Sequence, residues 1–187
     1  MLDKLLLGCC GSVAIFTIPN LVVTLRMVHR TEVQAVMTES AQRFLTATAL
    51  EVLTGKPVQT GMFGGLAHNH ISYITSHPVF LIAPATSNII AKIANGISDE
   101  IVSLCASVFL GSATKLVIAP AMNPTMWRNP VLEGNVRKLK ELGVRFIGPG
   151  MGIELLTMQE SAIGGMADIP LIIQQLLDAV ADGPEQR

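Results

Sequence analysis

Five short stretches carry residues able to do chemistry. The first is Gly8-Cys9-Cys10-Gly11-Ser12. Glycine lets backbone N–H groups approach an anion, and a helix starting there offers its positive end. Ser12 can cap that helix and also donate to a phosphate. The stretch is neither the full G-x-G-x-x-G pattern nor a P-loop, since it has no lysine, and a tight turn with an N-cap accounts for the same residues. The second, Thr38-Glu39-Ser40, offers two more hydroxyls; capping is again the alternative, and Glu39 would repel a phosphate if it faced inward. The third is APATSN (83–88), where Thr86, Ser87 and Asn88 stand at a helix start. In the fourth, APAMNPTMW (119–127), Pro120 and Pro124 fix the backbone around Met122 and Asn123. An asparagine flanked in this way loses little freedom on binding, although an Asx-turn capping the next helix would use it too. The fifth is His70, an acid or base at the start of a short helix, or an ordinary capping histidine. His68 and His70 have no nearby Cys, Asp or Glu to complete a ligand set, so no metal is expected.

These stretches need a scaffold, and the hydrophobic pattern supplies one. Strands are predicted at 4–9, 31–38, 78–84, 114–122 and 144–149, the last a long one. Helices are predicted from about Ser12 to His29, over Ser40–Leu53, His70–Ser76, 86–111 with a break at Gly96, Asn129–Leu142 and Pro170–Asp182. The strand PVFLIAP is apolar throughout, as expected of a strand covered on both faces. Strand-helix alternation of this kind predicts a single α/β domain, a doubly wound (Rossmann or flavodoxin-like) parallel sheet flanked by helices. Ligands bind such sheets beyond the carboxyl ends of the strands, where the turns after Cys9, Met37, Ala83 and Ala119 lie.

Composition narrows the function further. The chain has 187 residues, half of them hydrophobic and 14% charged, with a net charge of −1. That balance gives no electrostatic case for nucleic acid, and the surplus apolar surface points to subunit interfaces. Three cysteines, two of them adjacent, make no disulfide framework, which is consistent with a cytoplasmic setting. The opening KLLLGCCGS (4–12) looks like a lipoprotein signal, but only three leucines separate Lys4 from Gly8, whereas a signal needs roughly 7–15 apolar residues. Leu5–Leu25 is long enough to span a bilayer, yet Gly8, Gly11, Ser12, Thr17, Pro19, Asn20 and Thr24 interrupt it. No membrane anchor is expected.

Taken together, the motifs resemble a known family. PAMNPTMW (120–127) resembles the P-x-M-N-x-x-M-W signature of the homo-oligomeric flavin-containing cysteine decarboxylases. LIAPATSNIIAKIANGISDE (81–100), GSVAIFTIPNLVVTLR (11–26) and the His70-Ile71 pair resemble further segments of the same family. The resemblance covers about residues 4 to 150 and implies a flavin, FMN or alternatively FAD. It implies that Gly11, Ser12, Thr38, Thr86, Ser87 and Asn88 hold the flavin, with Ser103 approaching it. His70 would act as acid or base near the substrate thiol, and Asn123 would hold the carboxylate with backbone help from Met122. Assembly as trimers, or dodecamers built from trimers, with sites between subunits, is also implied.

The family contains phosphopantothenoylcysteine decarboxylases and peptidyl-cysteine decarboxylases. The former tend to carry a segment resembling A-C-G-x-x-G-x-G-R-M, whose cysteine helps reduce the intermediate. Here the matching stretch is TMQESAIGGMADI (157–169), with Met158 in the cysteine's place and Gly165 in the arginine's. A clamp-like segment over about 148–168, including Met151, is expected to close on substrate. This departure favours oxidative decarboxylation of the C-terminal cysteine of a ribosomally made precursor peptide to an aminoenethiol. The alternative is the coenzyme A branch. A regulatory phosphatase-inhibitor subunit is disfavoured because His70 and Asn123 are present, and a flavin prenyltransferase because those lack the P-A-M-N signature.

Overall fold

The computed structural model describes residues 2–62, 69–112, 114–154 and 159–181; for 69–71, 74, 152–154 and 159–162 it describes the backbone alone. Its centre is a five-stranded parallel sheet in the order β2-β1-β3-β4-β5. The strands are β1 (Lys4–Cys9), β2 (Glu32–Met37), β3 (Val79–Ala85), β4 (Lys115–Pro120) and β5 (Arg145–Phe146). The KLLL run is therefore a strand inside the sheet, registered Leu5 to Val33 on one side and Leu6 to Phe80 on the other. Successive side chains of a strand point to opposite faces. Accordingly Leu5, Leu7 and Cys9 join one apolar core and Leu6 joins the other.

Helices cover both faces. The first core is closed by α1 (Ile18–Met27), α3 (Ala47–Thr54) and α9 (Ile169–Ala181), through Leu21, Leu25, Leu50, Ile172 and Leu176. The second is closed by α5 (Ser87–Ala94), α6 (Ile101–Leu110) and α8 (Pro130–Glu141), through Ile90, Val102, Phe109 and Leu139. Phe80 of β3 and Phe109 of α6 lie with ring centres 5.2 Å apart in that layer. The result is the three-layer α/β domain expected from the sequence. Among the described residues no helix is long and apolar enough to cross a membrane.

Several expected boundaries move, each for a local reason. The helix expected from Ser12 starts as a 3-10 turn over Val13–Thr17 and becomes α-helical only at Ile18. A continuous α-helix from Ser12 would set the Pro19 ring against the carbonyl of Ile15, four residues back. The helix expected over Ser40–Leu53 is two, α2 (Glu39–Gln42) and α3, because Thr46 restarts the chain by capping Ala49 N at 3.2 Å. The last strand pairs through Arg145 and Phe146 only, and Gly148, at φ +87°, then turns the chain. Beyond it lies an antiparallel pair, β6 (Gly150–Glu154) and β7 (Gln159–Gly165), in the region expected to act as a clamp. Two short helices complete the described fold, α4 (Asn69–Ser76) and α7 (Pro124–Trp127).

Candidate functional site

The four turns converge on the carboxyl edge of the sheet, and backbone bonds tie them together. Cys10 N donates to Pro84 O at 3.2 Å, Thr38 N to Cys9 O at 3.0 Å, and Ala121 N to Ala85 O at 2.9 Å. Gly11 and Ser40 touch. A Cβ on Gly11 would fall 2.7 Å from Ser40 Cβ and Oγ, so only glycine brings these two turns this close.

At each turn the polar side chain is an N-cap. Ser12 Oγ accepts from Ala14 N at 3.4 Å, Thr38 Oγ1 from Ala41 N at 3.2 Å, and Thr86 Oγ1 from Ile89 N at 3.3 Å. Asn123 Oδ1 accepts from Met126 N at 2.8 Å. Thr38 Oγ1 also lies 3.0 Å from Ser40 Oγ. Ser87 and Asn88 form the first turn of α5, half-buried and exposed respectively. Gly11, Ser12, Thr38, Thr86, Ser87, Asn88, Met122 and Asn123 thus share one edge. The donors there are hydroxyls and backbone N–H groups at helix starts, a set suited to an anion such as a flavin phosphate.

Ser103 stands apart in character. It is buried in the first turn of α6, and its hydroxyl donates to Glu100 O at 3.1 Å. Met122 N–H donates to Gly164 O at 2.9 Å, so in this structure it is engaged by β7. His70 is described by its backbone alone, in the first turn of α4, which packs beside α6. Met158 lies outside the described residues.

The electrostatics behind the turns are those of a dry wall. Burial pushes the Cys9 thiol up to about 12, and burial followed by Glu100 pushes Cys105 to about 12. Cys10 is raised well above the usual thiol value, first by burial and then by the Glu100 carboxylate. Glu100 is itself raised by burial; its Oε1 accepts from Ser103 N at 3.2 Å while its buried Oε2 has no partner among the described residues. All three thiols are therefore held in the protonated form at neutral pH. Two contributors escape sequence reading. Glu100 is a cap hidden in an ordinary SDE run. Gly164 meets the Met122–Pro124 backbone; the A-C-G-x-x-G-x-G-R-M pattern also has a glycine at that position, but the sequence does not say what it meets.

A doubly wound sheet with anion-ready turns along its carboxyl edge is an architecture that commonly holds a nucleotide cofactor. The flavoprotein family model matches residues 2–181. A probable phosphopantothenoylcysteine decarboxylase of Streptococcus mutans is 32% identical over 94% of this chain and 98% of its own length. The bifunctional coenzyme A biosynthesis protein CoaBC of Thermococcus kodakarensis is 38% identical over 78% of this chain, which spans only 36% of that protein. Among solved structures, the FMN-dependent cysteine decarboxylase SpaF superposes with TM-score 0.79 at 32% identity, covering 95% of this chain and 97% of SpaF. A variant of EpiD in complex with the substrate peptide DSYTC gives 0.79 at 29%, over 97% and 99% of the two chains. A phosphopantothenoylcysteine decarboxylase variant complexed with pantothenoylaminoethenethiol gives 0.81 at 27%, over 97% and 100%. The chain belongs to the flavoprotein family and, within it, to the flavin-dependent cysteine decarboxylases; it is an enzyme of that group.

Proposed function

We propose that this protein binds FMN and oxidatively decarboxylates the C-terminal cysteine of a ribosomally made precursor peptide, releasing an aminoenethiol. The observation that carries the choice of branch is the absence of a reducing thiol. Met158 occupies the position matching the clamp cysteine, and the three cysteines are buried and held protonated. SpaF and EpiD, which align over nearly their whole length, support the peptide reading. The second reading, phosphopantothenoylcysteine decarboxylation, is favoured by the Streptococcus relative of matching length.

In this reading Gly11, Ser12, Thr38, Thr86, Ser87 and Asn88 hold the FMN phosphate and ribityl chain through hydroxyl and backbone donors, with Ser103 behind them. The chemistry that bound flavin supplies is two-electron oxidation of the thiol-bearing carbon to a thioaldehyde, after which the electron pair released with CO2 settles on sulfur as an enethiolate. His70 takes the thiol proton. Asn123 has its Oδ1 committed to Met126 N, so its Nδ2 is the group that donates to the substrate carboxylate. The β6–β7 pair acts as the clamp over the peptide end, with Met151 and Ile163 exposed on it. Phe16, Met27, Val28 and Val52, also exposed, supply apolar surface for a trimer or a dodecamer built from trimers.

The test is the mass of the product from a cysteine-terminated peptide such as DSYTC, in air and anaerobically. The expected product is lighter than substrate by CO2 plus two hydrogens, with molecular oxygen accepting the electrons at each turnover. A saturated product formed through repeated anaerobic turnovers, or turnover of phosphopantothenoylcysteine alone, would transfer the assignment to the coenzyme A branch.

A further inference from the structure

The geometry points to Gly164 as a positioning residue: having no side chain, it lets β7 seat against the Met122–Pro124 backbone and so holds Asn123 in place for the substrate carboxylate. The inference rests on the carboxylate role proposed for Asn123.

A Cβ built on Gly164 falls 2.7 Å from Met122 O, 3.0 Å from Pro124 N and 3.1 Å from Asn123 C. All three are backbone atoms, so no flexible side chain can swing aside. Backbone conformation does not demand glycine here, because Gly164 lacks the positive φ seen at Gly148 or Gly143. Close approach does. The same contact carries the 2.9 Å bond from Met122 N to Gly164 O. Gly134 and Gly61 are different, with nothing among the described residues within 4 Å of an added Cβ.

The segment Ala121–Asn123 is thus fastened at three consecutive residues. Ala121 N is bound to β3, Met122 N to β7, and the Asn123 side chain to the start of α7. Pro120 and Pro124, on either side, contribute no N–H of their own. Without the middle fastening, Asn123 is held only by a four-residue helix that itself packs on β7. A displacement of about 1 Å in a substrate-orienting group can cost about a hundredfold in rate.

The experiment compares FMN-loaded wild type, Gly164→Ala and Gly134→Ala. Amide exchange is followed over 117–130, and kcat and KM are measured on DSYTC and on phosphopantothenoylcysteine. Gly164→Ala is expected to keep bound FMN and exchange normally elsewhere, while the Met122 and Met126 amides exchange at least tenfold faster and kcat/KM falls by about a hundredfold. Gly134→Ala should match wild type in all of these. Unchanged exchange over 117–130 with unchanged kinetics would overturn the inference, as would loss of FMN with faster exchange throughout, which marks a general folding role. If Gly164→Ala does not fold, wild type alone decides: slow exchange at Met122, like that of the β4 amides, supports the seat, and loop-like exchange refutes it. If wild type turns over neither substrate, the functional reading fails and the exchange comparison still decides whether Gly164 seats the loop.

Discussion

Asn123→Asp separates the cap that this side chain makes in the structure from the carboxylate role proposed for it. Asn123 Oδ1 caps α7 by accepting from Met126 N at 2.8 Å. Aspartate retains that acceptor, ranks with asparagine as an N-cap, and its charge is favourable at a helix start. The variant should therefore melt close to wild type. Asn123→Ala loses the cap, at a cost of about 1 kcal/mol, which for a chain of this length lowers Tm by roughly 2–4 °C. Substrate handling should rank the other way. Aspartate replaces the Nδ2 donor with a second carboxylate facing the substrate's own. Two such charges about 4 Å apart repel by about 4 kcal/mol at an effective dielectric near 20, and by about 1 kcal/mol in water. Asn123 is exposed in the single chain, so the loss in kcat/KM should fall between about fivefold and a thousandfold. Alanine, which only deletes the donor, should lose less. Thermal melts and steady-state kinetics on DSYTC, with FMN occupancy checked by absorbance, measure both rankings. An aspartate variant with wild-type KM and kcat would remove Asn123 from the carboxylate site. An aspartate variant as unstable as the alanine variant would show that the Oδ1 cap does not anchor the loop.

Three other outcomes are expected. His70→Asn should keep FMN and assembly while losing about 10²–10⁴-fold in turnover; a near-parental rate would make His70 structural. Glu100, with its folded-state pKa raised above 4.5 by burial, holds its proton more tightly folded than unfolded. Stability should therefore fall as pH rises above that value, and the Tm advantage of Glu100→Gln over wild type should be larger at pH 8 than at pH 5; a constant difference across melts would refute this. The three cysteines, all buried, should react with a disulfide reagent at pH 8 only after denaturation, and fast labelling of the native protein would show a thiol accessible to act as reductant.

What was legible in the sequence was what local pattern controls. The KLLL run, the apolar VFLIA run and the LVIAP run are β1, β3 and β4, because a strand covered on both faces needs apolar residues throughout. Gly143, at φ +84°, closes α8 where expected. The β6–β7 pair was legible only as a suspected clamp. Its strands, GMGIE and QESAIGG, are rich in glycine and polar residues and carry little strand propensity of their own. β7 instead takes part of its support from α7 and the Met122 amide. Gly164 coincides with a glycine of the clamp pattern, but the reason for it was not legible, because the contact that requires it comes from a loop distant in sequence.

The turns also change how capping and binding relate. In the sequence, Ser12, Thr38, Thr86 and Asn123 admit two competing explanations, a helix cap or a ligand contact. In the structure each cap consumes an acceptor lone pair. A hydroxyl that accepts from a backbone N–H still has its own O–H to donate, and a capping asparagine still has its amide N–H groups. Capping therefore selects the rotamer in advance and leaves a donor over, which at Thr38 is shared with the Ser40 hydroxyl 3.0 Å away. The helix start adds the remaining backbone N–H groups beside it. Anion binding needs donors fixed before the ligand arrives, so that little entropy is lost on contact. Ser103 shows the contrast: its hydroxyl donates to Glu100 O, which leaves only an acceptor. Which hydrogen each side chain has left to give thus separates the turns, which can donate to an anion, from Ser103, which cannot.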